Sequence, residues 1–284
     1  VGAAKVSGSR TKQVSPKTAP AIKTKAPARE PASKATPPSA AAIERAAEGA
    51  LETFELLREA HPDAHCELDH RNPFELLVAT VLSAQSTDVA VNLVTPELFR
   101  RWPTPEALAN AAPPEVEGVL GRLGMFRQKA KNILGLSKRL VEQHGGSVPQ
   151  TLSELVLLPG VGRKTANVVL GVAFGQPEGV VVDTHVQRVS QRLGWTTNTT
   201  PELIEQDLMR RFPKDRWDIL SHTLIFHGRR VCAARKPACG GCNVASRCPH
   251  AFRADQVGRK PSRTREPAAP VPAKQPKTPR IKVE

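Results

Sequence analysis

Two kinds of side chain in this sequence stand where they could do covalent or metal chemistry. Lys164 lies in Leu158-Pro159-Gly160-Val161-Gly162-Arg163-Lys164-Thr165-Ala166, just after two glycines separated by one residue. If a helix starts near Arg163, this lysine occupies the first turn, where the positive end of the helix dipole works against an ammonium and favours the neutral amine. A neutral primary amine is a nucleophile. The plainer reading is one more phosphate-binding lysine in a basic protein. Asp183 follows the apolar run Val180-Val181-Val182 and precedes helical spacing through Val186, Val189 and Leu193, so it can serve as an N-cap. A partly buried carboxylate held in that way can also move protons.

Four of the five cysteines crowd into Cys232-x6-Cys239-x2-Cys242-x5-Cys248. Thiols so close together in a chain without a secretion signal read as a metal site rather than as disulfides. The spacing leaves two candidates, a [4Fe–4S] cluster and a structural zinc, although zinc sites more often pair one C-x2-C with a second. Between the first two ligands, Arg235 and Lys236 sit on a short segment pinned at both ends, a place suited to touching a phosphate.

The elements that must position these groups are helical. Apolar positions at Leu152, Leu155 and Val156, and again from Val168 to Ala173, flank the glycine turn and predict two short helices joined by a hairpin. Gly160 and Gly162 permit φ > 0 and a close approach to bare amides, and the first N–H groups of the second helix point out of the turn, where an anion can accept from them. Such a helix-hairpin-helix clamp reads a nucleic-acid backbone and not its bases.

Ile43 to Leu57 predicts a first amphipathic helix that ends at His61-Pro62-Asp63, with Cys66 after it as a packed, small hydrophobe. Asn72-Pro73 caps a run, Phe74 to Ala84, that is apolar nearly all round and predicts a central buried helix. It runs into the polar turn Ser83-Ala84-Gln85-Ser86-Thr87-Asp88. Gln85 there is either a firmly held probe or a solvated turn residue. Further helices open at Thr104-Pro105 and Pro113-Pro114 and run over Met125–Val141, Pro201–Phe212 and Trp217–Arg229. Met125 and Phe126, beside Arg127, Lys129 and Lys131, are either base-unstacking wedges or core. With almost no period-two alternation, the predicted fold is all-α.

Charge is concentrated at the ends of this 284-residue chain, whose formal net charge is +14. Residues 1–40 hold eight Lys/Arg against one Glu, and residues 251–284 hold nine against three acidic residues, together with twelve of the 26 prolines. Such segments cannot bury enough surface to offset chain entropy and read as disordered basic arms that attract polyanions. The prolines of the first arm forbid the amphipathic helix of a transit peptide, and no run is long enough for a signal peptide or membrane span. A soluble, intracellular protein is expected.

Taken together, the Leu158–Ala166 hairpin with its lysine, Val182-Asp183-Thr184-His185-Val186 nineteen residues after that lysine, the Ser83–Asp88 turn and the 6-2-5 cysteine spacing resemble endonuclease III, the iron–sulfur branch of the helix-hairpin-helix DNA glycosylases. The resemblance covers about residues 43–250. It implies a two-domain all-α fold: a six-helix domain over 65–177, and a cluster domain made of 43–64 with 178–250, flanked by tails 1–42 and 251–284. It implies base-excision repair of double-stranded DNA carrying oxidised pyrimidines or abasic sites, by a monomer, in the cytoplasm at the nucleoid if the source is bacterial. Lys164 would attack the sugar C1′ and form a Schiff base leading to β-elimination, assisted by Asp183. Gln85 would fill the gap left by a flipped nucleotide and Met125, where the family commonly has leucine, would wedge the opposite strand. Gly160, Gly162, Arg163, His185, Arg235 and Lys236 would contact DNA, and Cys232, Cys239, Cys242 and Cys248 would hold a [4Fe–4S] cluster. Two alternatives stand beside this: an adenine-mismatch glycosylase, for which Glu75 is the sole carboxylate in the first buried helix, and a non-catalytic DNA-binding iron–sulfur protein.

Overall fold

The computed structural model describes residues 38–257, so most of both basic tails lies outside the described residues. Within them the chain forms thirteen α-helices and three 3-10 turns, and no strand. The first expected helix is two: α1 (Ala40–Glu48) and α2 (Ala50–Ala60). Gly49 breaks the run, its N–H closing on the Arg45 carbonyl while its own carbonyl accepts from the Thr53 hydroxyl at 2.9 Å. The described residues include part of each expected tail. Ser39 caps α1, and at the other end Ala254 is buried while the Val257 carbonyl accepts from Arg192 at 2.9 Å.

The central helix α3 (Pro73–Leu82) is buried along nearly its whole length, as its uniform hydrophobicity requires. Asn72 accepts from the Glu75 N–H at 2.9 Å, and Glu75 returns the favour to the Arg71 N–H at 2.9 Å, a reciprocal closure of the helix start. Around α3 lie α4 (Asp88–Asn92), α5 (Thr95–Arg101), α6 (Pro105–Ala109), α7 (Pro113–Leu120), the long α8 (Phe126–His144), α9 (Leu152–Leu155) and α10 (Arg163–Phe174). Their apolar faces close one core that contains Leu76, Leu77, Leu98, Leu120, Ile133, Leu136 and Leu170.

A second core gathers Phe54 and Leu57 of α2 with α11 (Thr184–Arg192), α12 (Pro201–Arg211) and α13 (Trp217–Arg230). Phe212 stands edge-on to both Phe54 and Trp195, at 5.7 and 5.0 Å between ring centroids, the favoured geometry for aromatic quadrupoles. Cys232, Cys242 and Cys248 pack against this core. Helices α10 and α13 meet where the two cores adjoin.

Candidate active site and cysteine centre

The glycine turn does what the spacing predicts, but through one glycine. Gly160 has φ +78, and a Cβ there would lie 2.7 Å from Asn132 Nδ2 of α8. Gly162 is the N-cap of α10 with an extended backbone (φ −96, ψ 174) and open space where a side chain would be, so its use is to leave the helix N-terminus uncovered. Lys164, exposed, stands in the first turn of α10.

Asp183 caps α11. Its Oδ1 accepts from the backbone N–H groups of His185 and Val186, each at 2.8 Å, which fixes the carboxyl plane and leaves Oδ2 for the neighbouring cleft. That cleft, with about 330 Å³ of open space, is lined by Lys164 and Asp183 together with Gln85, Ser86, Asp88, His222 and Arg229, so both lobes contribute to it. Asp88, at the first position of α4, has its pKa raised, first by burial and also by Asp183, against the pull of Lys164 and His222. Arg229 pairs with Asp88 at 3.0 Å and with Glu67. Asp88 and Arg229 were not legible as cleft residues. The first looks like an ordinary helix-start acid after the Thr87 cap, and the second like a cation placed for the C-terminal dipole of α13.

Gln85 is held at φ 56 and Met125 at φ 55, in the left-handed region that costs a residue with a Cβ ~1–2 kcal/mol. Of the two residues offered as wedge or core, Met125 is 52% exposed, whereas Phe126 packs against the first core. Arg163 is engaged rather than free, gripping Glu205 of α12 with two bonds. The pKa of His185 is lowered, first by burial and then by Arg188 and Lys164, against the pull of Asp183 and of a hydrogen bond to the Gly228 backbone. The His185 Nδ1 lies 3.1 Å from Arg188 Nη2. Cys66 is partly buried against the first core, and burial pushes its thiol up. Glu75 is 2% exposed, bound by Arg71 at 2.6 Å, and does not line the cleft.

The four clustered cysteines line one apolar cavity with Val189, Val231 and Ala245. They surround it rather than converge on a point: among the described residues no three His, Cys, Asp or Glu side chains are gathered closely enough to hold a single ion. Burial pushes the Cys248 thiol up to about 12 and raises Cys242 as well, so thiolate ligation there calls for a cationic centre. Arg192 Nη1 donates to Cys232 Sγ at 3.4 Å, and His227 Nε2 lies 3.8 Å from Cys242 Sγ. Arg192, fully buried, also donates to the carbonyls of Ala233 at 2.8 Å and Ala234 at 3.0 Å. It thereby shapes the loop on which Arg235 and Lys236 stand exposed, Lys236 at φ 53. A donor set of four thiols in an apolar cavity with the Arg192 guanidinium at its rim fits a sulfur-rich cluster.

A family model described as HhH-GPD superfamily base excision DNA repair protein matches residues 78–214. The chain is 54% identical over 202 residues to endonuclease III of Synechocystis sp., covering 71% of this chain and 92% of that protein. It is 48% identical over 200 residues to endonuclease III of Bacillus subtilis, covering 69% and 90%. Among solved structures, a trapped endonuclease III–DNA covalent intermediate in an estranged-adenine complex superposes with a TM-score of 0.68 at 44% identity, covering 73% of this chain and 96% of that one.

Proposed function

This chain belongs to the endonuclease III family of base excision repair enzymes, DNA glycosylases with AP-lyase activity, and from that premise we propose that Lys164 is its nucleophile and Asp183 its proton-handling partner, acting on oxidised pyrimidines in double-stranded DNA. The observation that carries the reading is that both side chains, one from each lobe, line a single cleft with Gln85.

The Lys164 Nζ lone pair forms a bond to the sugar C1′ while the glycosidic bond breaks, its electron pair leaving with the base, which takes up a proton. Ring opening converts the adduct to an imine. Loss of a C2′ proton then drives β-elimination, the C3′–O bond breaks on the 3′ side, and water hydrolyses the imine to free the lysine. Asp183 Oδ2, left over by the cap, removes protons and balances positive charge at the sugar. The target nucleotide must leave the stack for C1′ to be reached, and Gln85 and Met125, both exposed on left-handed backbone, fill the gap and wedge the facing strand. Gly160, Gly162 and the first amides of α10 bind a phosphate, and Arg235 and Lys236 bind another. Arg163 and His185 serve the same surface by holding α10 and α11 in place.

We take the two cores as two domains, 43–64 with 178–250 and 65–177, with DNA bound across the cleft. Cys232, Cys239, Cys242 and Cys248 would hold a [4Fe–4S] cluster, which supplies a fixed structural centre that anchors the phosphate-binding loop. We propose that it acts as a monomer, with Lys164, Asp183 and Gln85 lining one cleft of a single fold. No helix among the described residues is long and apolar enough to cross a membrane, and for a bacterial source we propose a place at the nucleoid in the cytoplasm, where the DNA substrate lies.

Borohydride trapping on a duplex with one abasic site tests the reading. Wild type should give a covalent protein–DNA adduct and Lys164→Ala none. A wild type that binds the duplex without forming an adduct would overturn it.

A further inference from the structure

We propose that Lys129 is a positioning residue that sets the spacing between Gln85 and Met125 before DNA arrives. The inference rests on the reading of those two side chains as the ones that enter the duplex.

Lys129 lies in the first turn of α8 and is 3% exposed. Its Nζ donates to Ser86 Oγ at 2.5 Å, across 43 residues of sequence, and its backbone N–H donates to the Met125 carbonyl at 3.1 Å. One residue therefore touches both the neighbour of Gln85 and the peptide of Met125. These two segments share an unusual feature. Of the four described non-glycine residues with positive φ, two are Gln85 and Met125. A left-handed backbone at a residue with a Cβ persists only where its surroundings hold it, and such residues concentrate at functional sites.

The charge on Lys129 is hard to explain as packing. Among the described residues no carboxylate lies within ion-pair distance of it. It also stands at the positive end of the α8 dipole, and burial lowers its pKa, each of which opposes an ammonium. A methionine of similar length would fill the same space without the desolvation cost. What a methionine lacks is the bond to Ser86, and that bond ties the turn of Gln85 to the turn of Met125. Holding both turns in advance removes the loss of freedom that binding would otherwise impose on them.

The test uses the full chain and a duplex in which a tetrahydrofuran abasic analogue faces 2-aminopurine, whose fluorescence rises when it is unstacked. Wild type should brighten the probe. Lys129→Met should keep or raise the melting temperature, yet cut the fluorescence amplitude at least about threefold and weaken binding about tenfold, with the trapping rate at saturating enzyme little changed. Ser86→Ala should move the same readouts in the same direction, and Lys129→Arg should restore them in part. Unchanged amplitude and affinity in Lys129→Met would overturn the inference. If Lys129→Met fails to fold, Ser86→Ala with wild-type amplitude would overturn it. A wild type that leaves the probe dark would instead bring down the reading of Gln85 and Met125 themselves.

Discussion

Arg163 and Glu205 clasp one another across the two lobes, Nε to Oε2 at 3.0 Å and Nη2 to Oε1 at 2.9 Å. The arginine is the residue just before Lys164. Glu205 is 7% exposed and also accepts from Asn167 Nδ2 at 3.2 Å, so its charge is satisfied only while Arg163 is present. The planar fork of an arginine meets both carboxylate oxygens at once, which makes the clasp directional as well as attractive.

Arg163→Ala should therefore destabilise the protein by ~1–3 kcal/mol, the cost of a buried acceptor left unsatisfied. Chemical denaturation would measure it. Because the start of α10 loses its tether to α12, the rate of imine trapping should fall as well, and Arg163→Lys, which cannot make both bonds, should recover only part of each effect.

Asp183 carries two duties that two substitutions separate. Asp183→Asn keeps an oxygen for the His185 and Val186 amides, so its stability should stay close to wild type while strand cleavage falls by ~10²–10⁴-fold. Asp183→Ala should lose the same activity and in addition ~1 kcal/mol of stability from the missing cap. Equal cleavage by Asp183→Asn and wild type would leave the carboxylate with capping alone.

Arg192 predicts a metal-linked phenotype. Its guanidinium serves the carbonyls of Ala233, Ala234 and Val257 and the sulfur of Cys232. Arg192→Met removes every one of those donors from a fully buried place, so the loop should lose its shape and purified protein should contain markedly less iron and acid-labile sulfide than wild type. Absorbance near 400 nm together with iron analysis would read the loss, and DNA affinity should fall with it through Arg235 and Lys236.

His185 gives the acid side of the stability profile a sign. Its pKa lies below the ordinary 6.5 in the folded protein, so as pH falls from 6.5 the unfolded chain takes up a proton that the folded one refuses. Its contribution is complete above 6.5 and is lost as pH drops through the folded value. Melting temperatures of wild type and His185→Asn should draw together as the pH is lowered from 7 through this window, and a constant gap would show that His185 does not titrate as described.

Much of this was legible without coordinates because the relevant forces are local. Glycines bracketing a turn, a proline after Asn72, an acid before the Thr184 helix and cysteines at chelating intervals each state their geometry within a few residues, and from them came the hairpin, the buried α3, the capping role of Asp183 and the candidate nucleophile. The same local view saw one helix where Gly49 makes two, and it left Met125 and Phe126 undivided because adjacent apolar residues look alike until a core chooses between them. What the tertiary structure alone decided is who meets whom across long stretches of chain: Arg163 with Glu205, Arg229 with Asp88, Arg192 with the cysteine loop and Lys129 with Ser86. Each is a charged side chain with nothing in its own neighbourhood to name its partner. Where one partner is buried, as Glu205, Arg192 and Lys129 are, the pairing follows from desolvation, because a charge taken out of water is tolerable only where a counter-charge or a hydrogen bond replaces the water.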